Sequence, residues 1–240
     1  MRTGVSQTLD DIAVILAGGL GTRLRSVVSD RPKPMAFVNG RPFLDYLVQR
    51  LLSFGISEIV ICVSYMRENI ISYFQDKYPK TIKFSAEESP LGTGGALSRA
   101  SSLLSKKVSF LVLNGDTYMP IDYEQLRAFH IQKRADATIV LAKSTDPQFA
   151  GVEVNSFSKI TEFGGNSNSS GLVNAGVYWI DRKVFDQFPS EQQFSFEKDF
   201  LPTFVKRAKV YGYIVENMFV DIGTPESYLT LLENGDILKK

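Results

Sequence analysis

The 240-residue chain has one cysteine and one histidine. A single cysteine, Cys62, excludes an intrachain disulfide and any metal site built on a cysteine cluster. A single histidine, His130, excludes a His-rich zinc site and leaves few ways to build a Ser-His-Asp triad. Much of hydrolase chemistry falls away with them. Surplus charge is also missing. The 27 Lys+Arg and 26 Asp+Glu leave a net charge of +1, without the basic excess usual in nucleic-acid binders. The longest apolar stretch, Ile12 to Leu20, is far short of a membrane span. Met1 to Asp11 has no apolar segment of the kind a signal peptide needs. These absences lead us to expect a cytoplasmic protein that binds neither nucleic acid nor membrane.

The rest is ordinary globular composition, with 44% apolar and 22% charged residues. Such a length buries roughly 70–75% of its unfolded surface, as one large domain or two small ones. Along the first half, apolar runs rich in β-branched residues alternate with helical patterns. Strands are expected at 12–17, 58–63, 81–86, 108–113 and 137–143. Helices are expected at 43–54, 67–78, 94–104 and 123–132. This alternation implies an α/β fold with a mostly parallel sheet covered on both faces. After about residue 145 the strands follow one another with little helix between, at 151–155, 159–163 and 172–180. Gly164 to Gly171 reads as a loop. A helix at 196–207, strands at 210–216 and 219–222, and a helix from Pro225 to about 237 complete the chain. No linker divides it. The expectation is one domain over 1–240, with a first part to about 145 and a second from about 146 that builds a substrate subregion.

Leu16-Ala-Gly-Gly-Leu-Gly-Thr-Arg-Leu24 follows the first strand. Glycines there let backbone N–H groups approach an anion closely. The spacing fits neither the dinucleotide fingerprint, which Leu24 interrupts, nor a Walker A loop, because Arg23 follows Thr22. Ten residues on, Lys33 stands between Pro32 and Pro34. Two flanking prolines stiffen a lysine that must stay on a phosphate.

With these two motifs the chain resembles the sugar-1-phosphate nucleotidyltransferases, which make NDP-sugars. Leu91-Gly-Thr-Gly-Gly95 is similar to the family's second glycine loop, beside the base. Asn114-Gly-Asp-Thr117 and Phe219-Val-Asp-Ile-Gly-Thr-Pro225 resemble its two metal motifs. Asn174-Ala-Gly-Val-Tyr178 and Ser195-Phe-Glu-Lys-Asp199 resemble its sugar-side motifs. The likeness covers nearly the whole chain. Within the family it is strongest to the bacterial heptose-1-phosphate guanylyltransferases, with mannose-1-phosphate guanylyltransferases next.

The resemblance implies a Rossmann-like three-layer sandwich with a mixed, mostly parallel sheet and a smaller sugar-binding subregion. It implies Mg²⁺, held by Asp116 and Asp221, and two substrates, GTP and a sugar 1-phosphate with heptose favoured. The catalytic set is Arg23, Lys33 and Asp116. The nucleotide would lie on Leu16, Ala17, Gly18, Gly19, Leu20, Gly21, Thr22, Arg23, Glu87, Gly92 and Asp116. The sugar would lie on Asn114, Gly115, Asn174, Glu197 and Asp199. A homo-oligomer is left open.

The chemistry suits the composition. A phosphate monoester is already anionic at pH 7, since its second pKa is about 6. It attacks the α-phosphorus without a protein nucleophile or base, so one cysteine and one histidine suffice. By the same resemblance Glu87 faces the base edge, and base choice follows from it. A carboxylate accepts two hydrogen bonds and donates none. Guanine offers N1–H and N2–H₂ side by side, whereas uracil and thymine offer one N3–H between two acceptors. Adjacent Glu88 is the alternative for this role, and Arg25 is a candidate helper on the phosphates. Cys62, Tyr178 and Trp179 read as core, and His130 as a helix C-terminal residue without a catalytic part.

The chain departs from the family at one place. Where members carry Glu-Lys after a strand, alignment on Ile160 and Phe163 gives Gly165-Asn166, with Glu162 out of position. That departure keeps open a non-catalytic nucleotide-sugar-binding subunit. A nicotinamide oxidoreductase would need the fingerprint that Leu24 breaks.

Overall fold

The computed structural model describes residues 11–104, 108–144, 146, 149, 151–165, 170–189, 193–216 and 219–239. Along the first half run β1 (Ile12–Leu16), β2 (Phe37–Val38), β3 (Arg41–Pro42), α1 (Phe43–Ser53), β4 (Glu58–Val63), α2 (Arg67–Phe74), β5 (Ile82–Ala86), α3 (Gly92–Ala100), β6 (Ser109–Asn114), β7 (Thr117–Tyr118), α4 (Tyr123–Lys133) and β8 (Ala137–Lys143). The second half adds β9 (Gly151–Val154), β10 (Ile160–Gly165), β11 (Leu172–Asp181), α5 (Leu201–Arg207), β12 (Val210–Val215), β13 (Val220–Asp221) and α6 (Pro225–Glu233).

Period-two alternation explains the layers. In β1, Ala13 and Ile15 join the apolar cluster under α1, α2, α4 and α6. Ile12 and Val14 join the opposite cluster, under α3 and α5. A strand buried on both faces must be apolar along its buried length: β1 is so throughout, β4 after Glu58, and β6 between Ser109 and Asn114. Parallel pairs join β6, β1, β4 and β5 in that order. β11 then pairs antiparallel with β6 on one edge and with β8 on the other. β8 has only β11 and β12 as described neighbours, and β12 runs parallel to it. β9 and β10 continue from the far end of β11. The result is the expected α/β sandwich with a mixed, mostly parallel sheet.

Several boundaries differ from the sequence reading. α2 stops at Phe74, four residues early, and α3 begins at Gly92, two residues early. α6 ends at Glu233, after which a 3₁₀ turn covers Gly235–Lys239. The segment expected as one helix over 196–207 opens with a π-helical turn, Phe196–Phe200, before α5. β10 runs on to Gly165, into the stretch read as a loop. Residues 1–10, where no leader was found in the sequence, lie outside the described residues, as does Asn166 of the Gly165-Asn166 departure.

His130 is not merely placed at a helix end. It is buried against the sheet, with Nδ1 2.9 Å from the Thr138 hydroxyl and Nε2 3.1 Å from Asp181. Trp179 is fully buried and donates Nε1–H to Ser109 at 2.9 Å. Cys62 is buried on β4, where burial pushes its thiol pKa far up and leaves it unreactive.

Candidate active site

The loop after β1 is built to meet an anion. Ala17 N–H donates to the Cys62 carbonyl at 3.0 Å. The next backbone amide with an acceptor is Leu24, which donates to Gly21 at 3.0 Å. From Gly18 to Arg23 the amides have no protein acceptor among the described residues. Consecutive unpaired amides form a positive concavity. Gly21 has a φ of 60°, and a Cβ on it would stand 2.9 Å from the Lys33 Cβ. Glycine at 21 therefore lets the lysine stem rest on the loop. Lys33 opens a short 3₁₀ turn after Pro32, and its ammonium pairs with Asp116.

One cleft of about 220 Å³ gathers these parts. Its wall contains Leu16, Ala17, Gly18, Gly19, Leu20, Lys33, Glu87, Gly92, Asn114 and Asp116 from the expected set. It also contains Pro34, which flanks Lys33, and Pro90, Thr93 and Ala96, none of which the sequence reading assigns to the site. Gly21, Thr22 and Arg23 line an adjoining basin with Leu20, Lys33 and Gly223. Gly115 lies behind the wall, where a Cβ would come within 2.8 Å of the Leu16 carbonyl. Arg25 stacks over Tyr65, 4.7 Å from the ring centre.

Of the two candidate base-reading carboxylates, Glu87 is buried on the cleft wall and Glu88 is exposed. One Glu87 oxygen accepts the Leu91 N–H at 3.1 Å. Burial raises its pKa above the ordinary value, against the Leu91 amide and the charge of Arg99.

Asp116 and Asp221, 105 positions apart in the chain, are brought together by a two-residue ladder. β7 and β13 pair Thr117 with Asp221, and Ile222 N–H donates to the Asp116 carbonyl at 3.0 Å. The Thr117 hydroxyl is 3.3 Å from Asp116 and 3.4 Å from Asp221. Burial, and then the Asp116 charge, hold the Asp221 carboxyl above the usual carboxylate range, against Lys33, the Gly223 amide and Arg23. Asp116 lies on the cleft wall, and Asp221, which does not line it, is joined to it through Thr117; such a pair fits a hard, oxygen-seeking cation that takes its other ligands from phosphate and water. No cluster of three or more His, Cys, Asp or Glu suited to a metal exists among the described residues. A full protein cage is therefore not offered here.

Glu197 and Asn174 are not among the residues that line the cleft; Glu197 is tied to its wall by the Thr93 hydroxyl at 2.5 Å and also accepts hydrogen bonds from Tyr178 at 3.2 Å and Ser195 at 3.3 Å. Asn174 donates to the Tyr178 hydroxyl at 2.7 Å and accepts the Gly176 N–H at 3.0 Å. Tyr178 is core, as expected, but its hydroxyl also joins two of the expected sugar-side residues. Burial and the Glu197 charge push that phenol far up, so it stays a neutral donor. Asn114 Oδ1 is buried without a hydrogen-bond partner among the described residues. Asp199 is not brought to the cleft. It is exposed, and its carboxylate accepts the Ser195 N–H at 2.7 Å. Glu162 is exposed on β10, where the ladder to β9 shifts register between Ile160 and Glu162.

α3 meets this region unusually. Phe194 O accepts the Gly94 and Gly95 amides at 3.0 and 3.3 Å, capping the helix from 100 residues away. A Cβ on Gly92, whose φ is 72°, would stand 2.5 Å from that same oxygen. Thus the second glycine motif serves close approach by residue 194 as well as the cleft. Thr117, Thr93 and the Phe194 carbonyl were missed by sequence reasoning. Thr117 and Thr93 lie inside motifs already noticed, but no local pattern points to Phe194.

The chain is similar to known proteins. The family described as nucleotidyl transferase matches residues 12–235. A D-glycero-alpha-D-manno-heptose 1-phosphate guanylyltransferase of Aneurinibacillus thermoaerophilus is 37% identical over 90% of this chain and 94% of its own length. An enzyme of the same name from Campylobacter jejuni is 37% identical over 93% of this chain and 99% of its own. The crystal structure of HddC from Yersinia pseudotuberculosis complexed with GMP-PN is 33% identical, with a TM-score of 0.81. It covers 94% of this chain and 99% of that one.

Proposed function

Because the chain belongs to the nucleotidyl transferase family, we propose that it transfers GMP from GTP to a heptose 1-phosphate, giving GDP-heptose and pyrophosphate. The observation that carries this reading is the single cleft joining the unpaired loop amides, Lys33, Glu87 and Asp116. The names of the relatives support the guanine and the heptose.

A phosphate oxygen of the sugar phosphate attacks the α-phosphorus. The new O–P bond forms as the bond to the β-phosphate oxygen breaks, and pyrophosphate carries away the electron pair. Little covalent work falls to the protein, so its task is positioning and charge neutralisation. The amides of Gly18 to Gly21 hold the β- and γ-phosphates. Arg23, on the adjoining basin, faces the leaving pyrophosphate. Lys33 leaves Asp116 for a phosphate oxygen. Glu87 accepts from guanine N1–H and N2–H₂ with the lone pairs that Leu91 leaves free.

Asp116 and Asp221 would hold Mg²⁺, which when bound would supply positive charge against the phosphates. Asn174 and Glu197 receive sugar hydroxyls, and the unpartnered Asn114 oxygen accepts one more.

The test is pyrophosphate release with Mg²⁺, offering GTP, UTP, CTP, ATP and dTTP against heptose 1-phosphate, mannose 1-phosphate and glucose 1-phosphate. GTP with heptose 1-phosphate should give the highest kcat/KM. Silence across the grid, with ligand-dependent thermal stabilisation retained, would replace the enzyme by a binding subunit.

A further inference from the structure

Thr93 stands at an unusual crossing. It is the second residue of α3 and lies on the wall of the nucleotide cleft. Its hydroxyl donates to Glu197 at 2.5 Å and accepts the Phe196 N–H at 2.8 Å. One hydroxyl thus joins the nucleotide wall to the turn that carries Glu197. Beyond Glu197 the chain of bonds continues to Tyr178 and Asn174.

Glu197 has no cationic partner among the described salt bridges. Among the described residues its carboxylate is held by hydroxyl groups alone, from Thr93, Tyr178 and Ser195. Hydroxyl donors fix direction without neutralising charge. Three donors fill three of its roughly four lone-pair sites, leaving one acceptor site with a set orientation. The shortest of the three bonds comes from Thr93.

We infer that Thr93 is the positioning residue for the acceptor sugar. It holds Glu197 so that the remaining lone pair faces a sugar hydroxyl, while the same residue forms part of the nucleotide wall. The inference deepens the proposed reaction and rests on it. It predicts that losing the hydroxyl harms the acceptor far more than the nucleotide, although Thr93 lies on the nucleotide side.

The experiment compares Thr93→Val, which keeps shape and removes the hydroxyl, with Thr93→Ser, which keeps the hydroxyl. Initial rates give KM for the sugar phosphate, and calorimetric titration gives Kd for GTP. Thr93→Val should raise KM for the sugar phosphate at least tenfold, since hydrogen bonds to charged groups are the stronger ones, and change Kd for GTP less than threefold. Thr93→Ser should restore KM to within threefold of the parent. Tyr178→Phe is a second variant, at a residue that does not itself line the cleft. It removes another donor to Glu197 and should raise the same KM severalfold without altering Kd for GTP. It decides the matter where Thr93→Val does not fold.

Equal losses for both substrates, an unchanged sugar KM, or a Thr93→Ser as impaired as Thr93→Val would overturn the inference. An inactive parent protein would instead overturn the proposed reaction, and this inference with it.

Discussion

Replacing Gly92 by alanine tests whether the second glycine motif is a structural joint. Its φ of 72° lies in the left-handed region, which costs a residue with a Cβ about 1–2 kcal/mol. The new methyl would also stand 2.5 Å from the Phe194 carbonyl oxygen and 2.9 Å from its carbon. That oxygen caps α3 and belongs to the backbone, so it cannot swing aside as a side chain would. Forced crowding of this kind costs about 1–3 kcal/mol. Together the losses come to about 2–5 kcal/mol. An unfolding entropy of about 2.1 cal/mol/K per residue makes each kcal/mol worth about 2 °C here. Tm should therefore fall by about 4–10 °C in a calorimetric scan. Gly19→Ala is the control. No heavy atom lies within 4 Å of a Cβ at that site and its φ is unstrained, so Tm should hold within about 1 °C. If Gly92→Ala melts with Gly19→Ala, the glycine loop does not carry the joint and the close approach of Phe194 has been misjudged.

The remaining expectations concern chemistry. Asp116→Asn and Asp221→Asn should each lower turnover by about 10²–10³, with a higher Mg²⁺ requirement; full activity in both would remove the two-carboxylate site. Glu87→Gln should raise KM for GTP by about tenfold or more, the scale of a hydrogen bond to a charged group, and narrow the preference for GTP over UTP. The folded-state pKa of Glu87 lies above its ordinary value because of burial. Its ionised form therefore weakens folding above that pKa, and the penalty fades as pH falls through it. Glu87→Gln should accordingly raise Tm more at pH 8 than at pH 5, and the reverse trend would contradict the burial argument. Asp199→Asn should leave KM for the sugar phosphate within about twofold while Glu197→Gln raises it severalfold, because Glu197 is bonded to Thr93 on the cleft wall whereas Asp199 turns to the Ser195 amide.

Much of this was legible in the chain because the rules concerned are local. β1 had to be a strand, since Ile12 to Leu16 is apolar on both alternating sets and ends at two glycines. The cleft could be anticipated from Gly18 to Arg23, Lys33 and Asp116, because those residue types at that spacing serve few other purposes. What stayed hidden depends on distant partners. α3 starts at Gly92 because the Phe194 carbonyl caps it, and nothing near residue 92 announces that. Glu87 could be separated from Glu88 only by burial. The link from Asp116 to Asp221 runs through Thr117, whose hydroxyl reads in sequence as an ordinary turn residue. Asp199 looked like a companion to Glu197, yet two positions further along the π-helical turn its carboxylate accepts the Ser195 N–H.

The position of β8 bears on how such a chain is made. Its described neighbours, β11 and β12, both lie later in the sequence. As the chain emerges from a ribosome, β8 must wait with both edges bare until at least residue 172 has appeared, and α3 waits longer for residue 194. A nascent chain paused near residue 145 would expose a sticky, unsatisfied strand. The same feature forbids a simple split: fragments cut between β8 and β9 should be insoluble alone and should recover a folded protein only when produced together.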